Sequence, residues 1–131
     1  MLFGVLGSAH QLEQRLEAAL AEVGLSMAKG GALRALAAAA EPLTLSELAG
    51  RMRCVRSNIT QLVDRLEKDG LVRRVNDSAD RRVRRASLTP AGRKAHAEAT
   101  RVVQAQERAV AGALRQADAK ALTRALGLLR S

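Results

Sequence analysis

NITQLVDRLEKDGLVRRV, Asn58 to Val75, changes its periodicity part-way along. At about 100° per residue, Ile59, Leu62, Val63 and Leu66 fall within one arc of an α-helix, the width of a stripe that faces a core. Ser57, Gln61, Asp64 and Lys68 lie opposite that stripe, with Asn58, Thr60 and Arg65 on its flanks. The spacing predicts a helix to Asp69, closed by Gly70, because glycine adopts the positive φ required just past a helix end. Beyond Gly70 the helical spacing stops. LVRRV (Leu71–Val75) and VRRASL (Val83–Leu88) are short apolar-and-basic runs separated by the turn-forming Asn76, Asp77 and Ser78, and they read as the strands of a β-hairpin.

Upstream, TLSE (Thr44–Glu47) has the spacing of a capping box, in which the threonine hydroxyl and glutamate carboxylate satisfy backbone amides left free at a helix start. A short helix to about Arg51 and a turn around Arg53 follow. Ser26 opens an earlier helix through Met27, Leu33, Leu36 and Ala40, weakened by Gly30 and Gly31 and ended by Glu41 and Pro42. Ser8 and Gln11 repeat the capping spacing ahead of Leu12, Leu16, Leu20 and Val23, which predicts a first helix starting there. Downstream, Thr89 caps a long helix with Pro90 in its first turn, reaching about Leu114. Asp118 caps a last helix in which Leu122, Leu126 and Leu129 share a face. No internal repeat or low-complexity linker interrupts this order.

The 131 residues suit one domain with one core. No apolar run approaches the roughly 18 residues of a membrane span, and the start lacks the basic residues of an export signal. A single cysteine, Cys54, allows no internal disulfide and fits a cytoplasmic setting. Of 22 Lys and Arg residues, 18 are Arg, and the formal net charge is +9. Between Arg51 and Arg85, eleven basic residues face five acidic ones. A local positive field of this kind favours a polyanion, nucleic acid first, although a solubilising surface or anionic lipid would also accept it. With Phe3 as the one aromatic residue, base stacking has almost no platform, so duplex binding is favoured over single-strand binding.

Short helix, turn, helix and hairpin in that order make a winged helix-turn-helix. The chain is therefore expected to be mainly α with a small β-hairpin wing, its helix-turn-helix flanked by terminal dimerisation helices. The exposed part of the first two turns of the Asn58–Lys68 helix is hydroxyl and amide, groups that exchange hydrogen bonds with base edges in a major groove wide enough for one helix. A plain solvated face is the bland alternative; the capped helix before, the hairpin after and the local charge weigh against it. LSELAGRM, NITQLVDRLEKDGLVRRV and DRRVRRASLTPAG, spaced in that order over about Leu43 to Gly92, resemble the DNA-binding core of the MarR family of transcription regulators. The resemblance implies a homodimer whose recognition helices enter the major groove of double-stranded DNA. It also implies a wing arginine, Arg82, that reaches the minor groove and is positioned by Asp80, with Arg81 between them. Leu88, Thr89 and Gly92 match the Leu-Thr and Gly that follow the family's wing.

The resulting expectation is a single MarR-like domain, residues 1–131, in which 26–89 bind DNA and 1–25 with 90–131 dimerise. Ser57, Asn58, Thr60 and Gln61 are assigned to base edges; Arg56, Arg65, Arg73 and Arg74 to phosphates or support; Arg82, braced by Asp80, to the minor groove; and Arg81 and Arg84 to the same basic surface. Leu12, Leu16 and Leu20, with Val102, Val103, Val110 and Leu114, form more apolar surface than the middle of the chain can cover, which a second copy would bury. The resemblance further implies repression relieved by a small-molecule effector. The alternative reading is a basic winged-helix scaffold that binds protein or structured RNA. Arg53 and Val55 depart from the family's usual small and polar residues in the turn, which would start the recognition helix nearer Ser57, and the first helix is short for the family. Cys54 reads as a small buried residue, with a redox thiol as the alternative. His10 and His96 have no ligand at metal-binding spacing, and no phosphate loop or catalytic serine motif is present, so neither metal, cofactor nor enzymatic activity is expected.

Overall fold

The computed structural model describes residues 1–53, 56–115 and 119–130, with the backbone alone for Arg56, Ser57 and Ala119. Along the chain run α1 (Leu2–Ala21), α2 (Met27–Ala38), β1 (Leu43–Thr44), α3 (Leu45–Met52), α4 (Arg56–Lys68), β2 (Val72–Asn76), β3 (Arg84–Leu88), α5 (Pro90–Ala113) and α6 (Ala119–Leu128). Cys54, Val55 and Asp118 lie outside the described residues, and with them the question of a thiol at Cys54 and of the Asp118 cap.

Capping sets the starts of α2, α3 and α5 as the sequence predicts. Thr44 Oγ1 accepts from Glu47 N (3.1 Å) and Glu47 Oε2 accepts from Thr44 N (3.2 Å), closing the capping box of α3. Ser26 Oγ accepts from Lys29 N at the start of α2, and Thr89 Oγ1 accepts from Gly92 N at the start of α5, with Pro90 in its first turn. Gly70, at φ 77°, ends α4: its amide donates to Glu67 O (3.0 Å), and that of Leu71 reaches back to Leu66 O (2.9 Å). The turn after α3 uses Arg53 in the left-handed conformation (φ 54°), which costs a residue with a side chain roughly 1–2 kcal/mol.

Three expectations need correction. The Ser8–Gln11 spacing caps nothing, because α1 already runs from Leu2, with Val5 N donating to Met1 O; a capping box works only where the preceding backbone is non-helical. The hairpin has a third strand: β1 pairs antiparallel with β3, Leu43 opposite Ala86 and Thr44 opposite Arg85, giving the order β1-β3-β2. Two residues carry too little periodicity to announce a strand. Leu20, assigned to a partner-facing stripe, is buried within this chain, and Leu16 and Val102 pack against the same core.

That core draws on nearly every element. Leu33 of α2, Leu48 of α3, Ile59, Val63 and Leu66 of α4, and Val72 of β2 are the largest fully buried side chains, each contributing roughly 1.5–3 kcal/mol by leaving water. The three from α4 belong to the predicted inward stripe, and Leu62 is half-buried beside them. The opposite face of α4 is thereby turned outward. Lys29 Nζ meets Asp69 Oδ2 at 2.7 Å, linking the start of α2 to the end of α4. No described helix is long and apolar enough to cross a membrane.

Among the glycines, Gly92 is the one packed against backbone. A Cβ there would collide with the Leu71 carbonyl oxygen and crowd Leu88, whereas one at Gly50, inside α3, would meet nothing within 4 Å. Gly92→Ala is therefore expected to lose about 2–4 kcal/mol in urea unfolding, through backbone displacement. Gly50→Ala is expected to gain up to about 1 kcal/mol from helix propensity. Similar effects at both positions would contradict this packing.

Candidate nucleic-acid interface

Two elements present the polar surface. On α4, Asn58, Thr60, Gln61 and Arg65 are exposed, on the side away from Ile59, Val63 and Leu66. The side chains of Arg56 and Ser57, assigned with them, lie outside the described residues. On the hairpin, Arg73 and Arg84 are exposed, opposite Ser87 and Asn76 respectively in the ladder. Arg81 and Arg82 are exposed at the wing tip.

Arg74 has a different role. Its side chain is only 15% exposed and reaches from β2 to α4, pairing with Asp64 and with Glu67 Oε1 (3.1 Å) while its amide donates to Glu67 Oε2 (3.1 Å). The hydrogen bond it donates to Asp64, and then the charges of both acids, raise its pKa above the ordinary arginine value. Of the two roles considered for this residue, phosphate contact or support, the geometry favours support. Arg74 holds the hairpin against α4.

The wing tip is built by two aspartates. Asp80 Oδ1 accepts from the backbone amide of Arg82 (3.0 Å) and from its Nε (3.2 Å), and Oδ2 from Nη2 (3.3 Å), while the arginine side chain remains 91% exposed. This is a brace in the physical sense: a planar guanidinium held in register by a fork of charge-assisted hydrogen bonds. Asp77, expected as a turn residue only, accepts through Oδ2 from the amides of Ala79 (3.1 Å) and Asp80 (3.0 Å) and through Oδ1 from Arg85 Nε (2.7 Å). The local signal was available, since an aspartate two or three residues ahead of a bend commonly folds the chain onto its own carboxylate. Its partner Arg85 carried no comparable signal.

A cavity of about 440 Å³ opens between α1, α2 and α5, walled by Leu16, Leu20, Met27, Ala99 and Val103, with Arg34 and His96 on its rim. Farther out, Leu2, Phe3, Leu6 and Leu12 of α1, and Leu122 and Leu126 of α6, leave large apolar side chains exposed.

The Arg82 side chain, followed by its backbone amide, holds the Asp80 carboxyl below its ordinary range. For a depressed carboxylate the brace is complete above the ordinary value of about 4 and is lost as the pH falls through the depressed one. A carboxyl-carbon NMR titration is expected to place the Asp80 midpoint below that of an ordinary aspartate and, in Arg82→Ala, to move it back up. An Asp80 midpoint that ignores this substitution would refute the brace.

The MarR family model matches residues 25–83. A Bacillus subtilis (strain 168) protein named uncharacterized HTH-type transcriptional regulator YsmB is 48% identical over 52 residues, 40% of this chain and 36% of that relative, so the match spans only about a third of its length. The crystal structure of the transcriptional regulator BldR from Sulfolobus solfataricus is 30% identical, with 98% of this chain and 91% of that one covered and a TM-score of 0.76. That of the M. tuberculosis transcriptional regulator MosR in complex with DNA is 27% identical, covering 98% and 92%, with a TM-score of 0.78. With its capped helix-turn-helix, its three-stranded sheet and its aspartate-braced wing, the chain belongs to the MarR family.

Proposed function

We propose that this chain is a transcription regulator that binds duplex DNA as a homodimer, with α4 in the major groove and Arg82 in the adjacent minor groove. The observation that carries the reading is the braced Arg82, held by Asp80 yet almost fully exposed, on the same unit as the outward polar face of α4. An exposed guanidinium whose direction is already set loses little freedom on entering a narrow groove, where the negative potential is strongest. Asn58, Thr60 and Gln61 would meet base edges, Arg65, Arg73, Arg81 and Arg84 phosphates or groove edges, and residues 26–89 form the DNA-binding part. The DNA-bound state of MosR, a relative over nearly the whole chain, supports this.

Residues 1–25 and 90–131 form the dimerisation part in this reading. A second copy would cover the apolar side chains that α1 and α6 leave exposed, and two recognition helices roughly 34 Å apart would read a pseudo-palindrome. The cavity between α1, α2 and α5 joins that helical part to the DNA-binding part, which supports repression relieved by a small molecule lodged there.

Duplex titrations at several salt concentrations, with selected and random sequences compared, test the function. A preferred palindrome is expected to bind tighter than random duplex by about 4–10 kcal/mol. Arg82→Ala is expected to remove roughly 1–3 kcal/mol of that, against less than about 0.5 kcal/mol for Arg108→Ala on the exposed side of α5. Equal binding to every duplex would return the chain to a basic scaffold for protein or structured RNA, and equal losses at the two arginines would reduce Arg82 to bulk charge. Leu126→Glu is expected to shift the mass measured by light scattering from dimer to monomer; an unchanged mass would place the interface elsewhere.

A further inference from the structure

Arg85 lies in the middle strand of the sheet, opposite Thr44 on one side and Val75 on the other, and on the face away from the buried Ala86 and Leu88. Its guanidinium makes three contacts far apart in the chain. Nε donates to Asp77 Oδ1 (2.7 Å), and Nη1 donates to Pro42 O (3.2 Å) and to Glu47 Oε2 (3.4 Å). Glu47 Oε2 is also the oxygen that accepts from Thr44 N in the cap of α3. One carboxylate therefore closes the start of α3 and receives the wing.

From Arg85 the contacts continue to the tip without a gap. The second oxygen of Asp77 holds the amides of Ala79 and Asp80, Asp77 N donates to Val83 O (2.9 Å), and Val83 N donates to Asp80 O (3.0 Å). Asp80 in turn holds Arg82. Arginine suits the head of this chain because its planar fork donates from separate nitrogens in fixed directions, here Nε and Nη1, whereas lysine's donors share one freely rotating nitrogen. Partly exposed ion pairs add little to stability, so the consequence of these contacts is geometric.

We propose that Arg85 is a positioning residue for Arg82: by tying Asp77 to Glu47 and the Pro42 carbonyl at the start of α3, it sets the wing tip, and with it the direction of Arg82, relative to the helix-turn-helix. The DNA side of this inference rests on the function proposed above, while the tether itself is tested without DNA.

Two variants separate the links. Arg85→Leu removes the guanidinium while keeping a side chain that strands tolerate, and Asp77→Asn keeps one carbonyl oxygen for the Ala79 and Asp80 amides while turning a donor towards Arg85. In the free full-length protein, at a temperature where melting shows the variant folded, amide exchange at Ala79, Asp80 and Arg82 is expected to quicken roughly tenfold, as for loss of a charge-assisted hydrogen bond. The ladder amides of Val72 to Val75 should keep their wild-type rates. Unchanged exchange at the tip in a folded variant overturns the tether, and Asp77→Asn carries the test if Arg85→Leu does not fold. On a duplex selected for tight binding, Arg85→Leu is expected to weaken binding severalfold, and the Arg82→Ala/Arg85→Leu double variant to bind no more weakly than Arg82→Ala alone. Additive losses would overturn action through Arg82. Failure of the wild-type chain to bind any duplex would instead remove the proposed function, leaving the exchange rates to decide the tether.

Discussion

The fold turns on one junction, where Thr89 meets Gly70. The Thr89 hydroxyl donates to Gly70 O (2.6 Å), its amide donates to Leu71 O (3.1 Å), and its oxygen accepts from Gly92 N (3.0 Å). Those three bonds bring the end of α4, the start of β2, the end of β3 and the start of α5 to one point. Gly92 allows it, because any side chain there would occupy the place of the Leu71 carbonyl. Four backbone groups that a helix end or strand end would otherwise leave unsatisfied find partners in the same few ångströms. Helix α4, the hairpin and α5 consequently share an anchor.

Around that anchor the wing is positioned by charge and the helices by burial. Ile59, Val63 and Leu66 seat α4 through apolar contact, which is strong but indifferent to direction. Arg74 and Arg85 supply direction. Arg74 bonds β2 to Asp64 and Glu67 of α4, and Arg85 bonds β3 to Glu47 of α3, so each helix of the helix-turn-helix holds one strand of the hairpin. Such pairs hold an angle more than they add stability. Two guanidiniums of the arginine-rich segment, Arg74 and Arg85, are thus framework, while Arg65, Arg73, Arg81 and Arg84 stay exposed.

The apolar surface tells a complementary story. Leu20 and Leu16 cover the chain's own core, whereas the first two turns of α1 and the outer side of α6 remain uncovered. The large apolar side chains left exposed thus lie at the two ends of the chain, on α1 and α6, while the exposed face of α4 is polar. The cavity lies between α1, α2 and α5.

Much of this was legible in the sequence because it depends on neighbours. The cap at Thr44 and Glu47, the stripe Ile59–Val63–Leu66, the stop at Gly70 and the restart at Thr89 each follow from residues a few positions apart, whose relation is set by helix or turn geometry. The Asp80–Arg82 brace was legible only through resemblance, although it too spans just two residues. Local rules also misled: Ser8 and Gln11 have the right spacing, but whether the backbone before them is helical depends on where α1 packs. Only the tertiary structure decided that Arg85 meets Glu47, 38 residues away, that Leu43 and Thr44 form a third strand, and that Arg74 is support. The physical reason is common to all three: a side chain's spacing states which face it occupies, while the partner across that face is set by how distant segments close around the core.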